Sequence, residues 1–325
     1  MKFTAREFFP NTMKLRNFAF IFPGQGSQYV GMGKELSKEY SVAKDIFMQA
    51  DDILGFSISK LAWEGPEHQL NDTINTQPAL FTHSIAVLQV IQSITPDLKP
   101  NFTAGHSMGE ISALVSSGVL SFIDGLRLVR IRGELMKNAG DINPGGMAAI
   151  IGVELPFIEQ LCLEASNGTE IVQVANDNCP GQVVISGSNI ALDRVQPLLE
   201  QAGARRIIRL AVSIAAHSPF MVTAQSGFNK AIASTPIRPP TIPIIGNVTA
   251  LPLLNINDIQ DDLQNQLTHK VRWTESIQYL LNNGISLFME IGSGSVLSGL
   301  LRRINRNVTA NSIGTPEDIQ TFQRF

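Results

Sequence analysis

The chain has 325 residues, 44% of them hydrophobic and 16% charged, and carries a net charge of −3. That length and apolar content support a large buried core, and the lack of a basic excess argues against a nucleic-acid partner. Two cysteines, Cys162 and Cys179, are too few for a disulfide framework; they fit a reducing compartment, so a cytoplasmic protein is expected.

No uninterrupted apolar run approaches the ~18 residues that span a bilayer, so no membrane partner is expected. The N-terminal stretch lacks a secretory pattern, being interrupted by Glu7, Pro10 and Asn11. Met13 stands just ahead of the first strand, which makes residues 1–12 a candidate extension.

NFAFIF (17–22) reads as a buried strand that runs straight into the glycine-rich turn PGQGSQ. Helices are predicted over 31–40, 43–54 and 77–93; in the last, Leu80, Ile85, Leu88 and Ile91 recur near helical spacing. FTAGHSMGE (102–110) reads as a strand, a sharp turn and a helix start, with the helix stopping near Gly118. A further helix covers 122–138.

Near residue 140 the texture changes. After the turn-rich GDINPGG come a strand (147–153), a helix (155–166), strands (170–177 and 181–187), a helix (189–203) and a strand (204–212). This β-α-β-β-α-β order is that of a small ferredoxin-like unit, with the turn NCPG between the middle strands. An inserted subdomain is therefore expected at 145–211, with residues 1–144 and 212–325 forming a larger α/β subdomain. In that second part, helices are predicted at 218–233, 258–268, 273–284 and 294–304, and strands at 241–247 and 286–292.

The strongest chemical signal is Gly105-His106-Ser107-Met108-Gly109, a G-x-S-x-G between a predicted strand and helix. A serine on such a turn projects its Oγ outward, and the helix N-terminus behind it favours an oxyanion. Five histidines are available as a base. His106 adjoins the serine and should point away from it. His68, His83 and His269 read as surface or packing residues. His217, in LAVSIAAHSP, leaves the last strand of the insertion among small residues and is the best-placed candidate.

FPGQGSQ (22–28) lacks the lysine of a P-loop and the third glycine of a dinucleotide fingerprint. The amide of Gln25 instead suits one half of an oxyanion hole, with that of Met108 as the other. Arg130 and Arg132 lie two apart on one predicted helix, so they cannot share a face. One of them should point inward, and an inward guanidinium requires an anion: a buried acidic side chain or a carboxylate on the substrate.

These residues fall in a recognisable order. FPGQGSQ (22–28), TQPAL (76–80), GHSMGE (105–110), RLVRIRGELM (127–136), NDNCPGQVVISG (176–187), VSIAAHSPFM (212–221) and EIGSGSVLSGLLRR (290–303) resemble the malonyl-CoA:acyl carrier protein transacylases, and also the acyltransferase domains of polyketide synthases. The resemblance implies an α/β-hydrolase-like core with a mostly parallel sheet and a ferredoxin-like insertion. It implies malonyl transfer from coenzyme A to the phosphopantetheine thiol of an acidic acyl carrier protein, by a monomer with no bound cofactor or metal, in fatty-acid or polyketide synthesis.

By the same resemblance Ser107 is the nucleophile, His217 the base and Arg132 the carboxylate-binding arginine. Gln25 and Met108 match the oxyanion-hole donors. The main-chain carbonyl of Gln266 matches the group that orients the histidine, and Gln77, Asn176 and Asn178 match channel-lining residues. Arg205, Arg206, Arg302 and Arg303 are candidates for carrier-protein docking. The stretch Ile214-Ala215-Ala216 departs from bacterial members, which more often carry a Pro or Gly and a bulkier residue there; this leaves strictness for malonyl over methylmalonyl open. A serine hydrolase built on the same elbow and a non-catalytic docking module are the competing readings.

Overall fold

The computed structural model describes residues 17–323; the candidate extension 1–12 lies outside them. β1 (Phe18–Phe22) is buried along its whole length. Phe18, Phe20 and Phe22 enter one apolar cluster, while Ala19 and Ile21 enter a second. That alternation is the period-two geometry of a strand covered on both faces.

Helices α1 (Lys34–Glu39), α2 (Ser41–Leu54), α3 (Ile58–Glu64), α4 (Glu67–Leu70) and the long, largely buried α5 (Thr73–Ile94) follow. β2 (Phe102–Gly105) then runs parallel to β1, with Gly105 opposite Phe22. It leads into α6 (Gly109–Ser116) and α7 (Phe122–Ile142). The side chain of Ser121 caps α7 by accepting the Asp124 N–H.

β3 (Gly146–Ile151), α8 (Leu155–Ala165), β4 (Val172–Cys179), β5 (Gln182–Gly187), α9 (Asn189–Gln201) and β6 (Arg206–Arg209) build a separate sheet in the order β4-β5-β3-β6. Its pairs are all antiparallel. Apolar residues of the sheet pack with those of α8 and α9 in a third cluster.

The chain returns through a 3-10 turn (Pro219–Met221) to α10 (Val222–Ser234), β7 (Ile244–Ile245), β8 (Pro252–Leu253), α11 (Ile256–Leu263) and α12 (Trp273–Asn282). β9 (Leu287–Ile291), α13 (Val296–Ile304), β10 (Thr309–Ile313) and α14 (Pro316–Phe322) complete it. The larger sheet has the order β10-β9-β1-β2-β7-β8, parallel throughout except for the β7–β8 pair. No helix among the described residues is long and apolar enough to cross a membrane.

The smaller sheet is joined to the segment that leads into α12. Val271 and Asn176 form a parallel bridge, with Val271 N–H donating to Ala175 O at 2.9 Å and Asp177 N–H to Val271 O at 2.9 Å. Thr274 Oγ1 donates to the Asp177 carboxylate at 2.8 Å.

Most predicted elements stand where expected, with shorter strands: 241–247 shrinks to β7, and 204–212 to β6. β10 and α14 were not expected. β10 (TANSI) is a partly exposed edge strand without an apolar run, so periodicity does not reveal it.

Adjacent parallel strands place their C-terminal loops side by side, which sets the PGQG turn against the serine elbow. His106 N–H donates to Phe22 O at 3.0 Å. The contact leaves no space for side chains at the flanking glycines. A Cβ at Gly109 would lie 2.2 Å from Phe22 O, one at Gly24 2.5 Å from His106 O, and one at Gly105 2.0 Å from the Gly109 backbone. Gly109→Ala should therefore cost about 1–3 kcal/mol or more through overpacking, seen as a lower denaturation midpoint than the parent's.

Candidate active site

Ser107 leaves β2 in the left-handed region, at φ 53°. A non-glycine residue held there costs about 1–3 kcal/mol, which the surrounding contacts must offset. Asn247, just past β7, supplies two of them: its Oδ1 accepts the Ser107 N–H at 2.7 Å and its Nδ2 donates to Gly105 O at 2.7 Å. The turn is thus clamped from the neighbouring strand.

His217 follows β6 and the 210–216 loop. It too has a positive φ, 57°. Its carbonyl accepts from Gln173 Nε2 of β4 at 2.9 Å, so the smaller sheet holds the histidine backbone. His217 Nδ1 faces two carbonyls, Gln266 O at 2.8 Å and His269 O at 3.1 Å. Two acceptors require that Nδ1 carry the proton, which leaves Nε2 with a lone pair. That lone pair meets Ser107 Oγ at 2.8 Å. Burial pushes the His217 pKa down to about 3, and the nearby Arg132 charge pushes the same way. The imidazole is neutral at physiological pH and competent to accept the serine proton.

Arg132 points inward from α7 and is 1% exposed. Its Nη2 donates to Ser107 Oγ at 3.0 Å. Gln77 Oε1 accepts from Nη1 at 2.9 Å, and Gln266 Oε1 from Nε at 3.1 Å and Nη2 at 2.9 Å. Among the described residues no acidic side chain pairs with it. Of the two partners open to an inward guanidinium, the internal salt bridge is therefore not the one formed. Burial lowers its pKa to about 10, with Glu110 opposing, so it stays cationic at neutral pH. Arg130 points outward, paired with Glu134 at 2.6 Å and lying over the Phe56 ring at 5.2 Å.

Ser107, His217 and Arg132 line one cleft of about 420 Å³, together with Gln25 and Met108. Neither the Gln25 nor the Met108 backbone N–H finds an acceptor among the described residues. Two unengaged amides beside a serine can receive a developing oxyanion. Met136, Met147, Leu210, Val212 and Ile214 give the cleft an apolar wall; Asn176, Asn178 and Gln182 lie on its polar side.

The expected site residues mostly converge. Asn176 and Asn178 line the cleft, and Asn178 Oδ1 meets His106 Nε2 at 2.8 Å. Gln77 does not reach the cleft: it is buried behind the guanidinium that it holds. The four arginines are all exposed. Arg303 reaches the side chain of Gln182 at the cleft edge, and the Arg205 stem packs over Gly152. Gly152 N–H donates to Gly181 O at 3.0 Å, close to where Arg303 ends.

Asn247, Gln173, Glu110 and Asp262 were not anticipated. Glu110 was visible as the acid ending GHSMGE, and Asn247 as the polar residue at a strand exit. Gln173 and Asp262 had no local signal. Glu110 is fully buried, and Asp262 is within hydrogen-bond reach of it.

A serine on a glycine-flanked elbow, hydrogen-bonded to a neutral imidazole and flanked by two free amides, has the parts of an acyl-transfer centre of the serine type. Comparisons with known proteins agree. Residues 19–321 match the family model described as acyl transferase domain. The malonyl CoA-acyl carrier protein transacylase of Bacillus subtilis (strain 168) is 42% identical over 94% of this chain and 96% of its own. The structure of the malonyl CoA-acyl carrier protein transacylase from Coxiella burnetii superposes with a TM-score of 0.92 at 38% identity, covering 95% and 98% of the two chains. A type II PKS acyl-carrier protein in complex with its malonyl-transacylase provides a second likeness, at TM-score 0.90 and 38% identity over 94% and 98%. The chain is an acyltransferase and belongs to the malonyl CoA-acyl carrier protein transacylase family.

The depressed His217 pKa has a kinetic consequence. Labelling of Ser107 by an uncharged fluorophosphonate should keep its rate well below pH 6.5, because the base stays neutral there. In Arg132→Gln, which removes a neighbouring positive charge, the acid limb should move upward in pH. The rate-against-pH profiles of the two proteins check both statements.

Proposed function

We propose that the protein transfers a malonyl group from malonyl-CoA to the phosphopantetheine thiol of an acyl carrier protein, in fatty-acid or polyketide synthesis. The observation that carries this reading is the Arg132 guanidinium, buried, without an acidic partner, 3.0 Å from Ser107 Oγ. A buried cation without a counter-ion is costly, and a substrate carboxylate supplies one. A three-carbon diacid esterified on Oγ is short enough to fold its free carboxylate back to that guanidinium.

In this mechanism His217 Nε2 takes the Ser107 proton as Oγ attacks the thioester. The oxyanion settles on the Gln25 and Met108 amides, each worth roughly 3–4 kcal/mol. Collapse expels coenzyme A as its thiol, with the proton returned from His217, and leaves malonyl-Ser107. The carrier's thiol then repeats the steps in reverse, giving ping-pong kinetics. The Gln266 carbonyl keeps the His217 tautomer. Asn176 and Asn178 face the acyl-pantetheine channel, and Gln77 serves by bracing Arg132. The protein itself needs no cofactor; the phosphopantetheine arrives on its partner.

Over the described residues of the spans 1–144 and 212–325 the architecture reads as an α/β-hydrolase-like core, with a ferredoxin-like subdomain at 145–211. The β4-β5-β3-β6 order with antiparallel neighbours supports the latter. We take the working unit to be a cytoplasmic monomer that receives an acidic carrier on Arg205, Arg206, Arg302 and Arg303. The exposure of these four and the reach of Arg303 to the cleft edge support that surface.

Ser107→Ala should form no acyl-enzyme, as read by intact-protein mass after mixing with malonyl-CoA. Arg132→Ala should lower malonyl transfer about 100-fold, the scale of a broken buried charge contact, and raise transfer of acetyl; near-parental malonyl transfer would refute the assignment. Joint reversal of Arg205 and Arg303 to Glu should raise KM for the carrier protein, most strongly at low salt, and leave the acylation step unchanged.

A further inference from the structure

Every role given so far to Gln266 concerns its carbonyl, yet its side chain makes a second set of contacts. The amide oxygen accepts from Arg132 Nε at 3.1 Å and Nη2 at 2.9 Å. The amide nitrogen donates to Ser107 O at 3.0 Å and to the Glu110 carboxyl. The residue is 0% exposed. Its orientation is fixed by chemistry: a flipped amide would set N–H groups against the guanidinium and the oxygen against two acceptors.

Beneath the amide, Glu110 and Asp262 form a buried carboxyl pair. Asp262 accepts backbone N–H groups from Asn247 at 3.2 Å, Val248 at 3.1 Å and Thr249 at 3.3 Å, and so holds the charge. Burial, then the Asp262 charge, raises the Glu110 pKa well above the ordinary carboxylate value. It also accepts the Asn247 N–H at 3.0 Å. This anchor therefore braces the elbow clamp and the Gln266 amide at once.

The amide is a neutral spacer between the anchor's negative charge and the guanidinium. A carboxylate in its place would pair with Arg132 directly and close it to a ligand. An apolar side chain would lose all four of the amide's hydrogen bonds, two of them to Arg132.

We propose that the Gln266 side chain, braced on Glu110 and Asp262, is a positioning residue that fixes Arg132 relative to Ser107 and thereby selects acyl groups ending in a carboxylate. The inference rests on the malonyl-transfer reading above. It adds that selectivity depends on a neutral hydrogen-bonding group at this point, not on Arg132 alone.

The test compares the full-length parent with Gln266→Met and Gln266→Glu. Both variants retain the backbone carbonyl that faces His217. Transfer from malonyl-CoA and acetyl-CoA to a holo acyl carrier protein is measured, together with Ser107 labelling by an uncharged fluorophosphonate. Gln266→Met should lose about 10- to 100-fold in kcat/KM for malonyl-CoA, mostly in KM, the scale of lost hydrogen bonds to a charged group. Acetyl transfer and labelling should fall by less, so that the malonyl-to-acetyl ratio of kcat/KM drops by about tenfold or more. Gln266→Glu should lose more malonyl transfer than Gln266→Met, because its carboxylate competes for Arg132. If malonyl transfer, acetyl transfer and labelling fall together, the side chain is merely structural and the proposal is wrong. Malonyl preference surviving in both variants also overturns it. Should Gln266→Met fail to melt cooperatively, the isosteric Gln266→Glu decides alone. A parent that prefers neither acyl group overturns the functional reading itself, and is seen before any variant is compared.

Discussion

Arg132 is a full positive charge, 1% exposed and held, among the described residues, by neutral oxygens only. Such a charge is costly, and the cost falls when a ligand brings an anion. Much of the local architecture maintains that condition. Gln77 from α5 and Gln266 from beyond α11 grip three guanidinium nitrogens without neutralising them. Burial and the neighbouring Asp262 push the Glu110 pKa up, which disfavours a second carboxylate beneath the guanidinium. The neighbouring Arg130, two residues along the same helix, has an ordinary partly exposed ion pair and no such consequence.

The nucleophile depends on a different constraint, the close approach of two parallel strands. Because β1 and β2 are adjacent and in register to their last residues, their exit loops must share one small volume. Glycine is required where backbone touches backbone, at Gly24, Gly105 and Gly109. Sharing that volume also brings the Gln25 and Met108 amides to the same cleft. The strain at Ser107 is contained by Asn247 from the next strand over. The base comes from the junction of the two sheets, where Gln173 of β4 holds the His217 carbonyl. The smaller sheet thus serves the chemistry directly as well as walling the cleft.

What was legible in the sequence follows from these causes. The glycine-flanked serine and the buried first strand are local patterns, and both elements were found with nearly their observed bounds. The β-α-β-β-α-β run announced the smaller sheet because each of its elements has its own periodicity. Arg132 could be narrowed by helical geometry to one of two arginines, but its partner could not be read: whether an acid faces it depends on residues 55 and 134 positions away. Gln77 illustrates the same gap. Its match to the family's motif pointed to the channel, whereas a side chain on α5 reaches the guanidinium from behind. Glu110, Asp262 and Asn247 form a network over separations of up to 152 residues, from 110 to 262, and no local pattern encodes it. β10 escaped because a partly exposed edge strand does not need an apolar run.

The missing acidic partner of His217 ties the two constraints together. In the common serine triad a carboxylate stabilises the imidazolium that forms as the serine attacks. Here Nδ1 meets two carbonyls, which orient the ring but carry no full charge. Arg132 meanwhile opposes the imidazolium: both groups contact the same Oγ, so they lie on the order of 5 Å apart, roughly 3 kcal/mol of repulsion at an effective dielectric near 20. An acyl group carrying a carboxylate cancels that repulsion by pairing with the guanidinium. A neutral acyl group leaves it in place. On the proposed mechanism the diacid would raise the basicity of His217 as it deprotonates Ser107, so discrimination would enter the chemical step as well as binding. A hydrolase acting on neutral esters would be handicapped by the same arginine, which is the physical reason that one elbow can serve two different chemistries according to what stands opposite its serine.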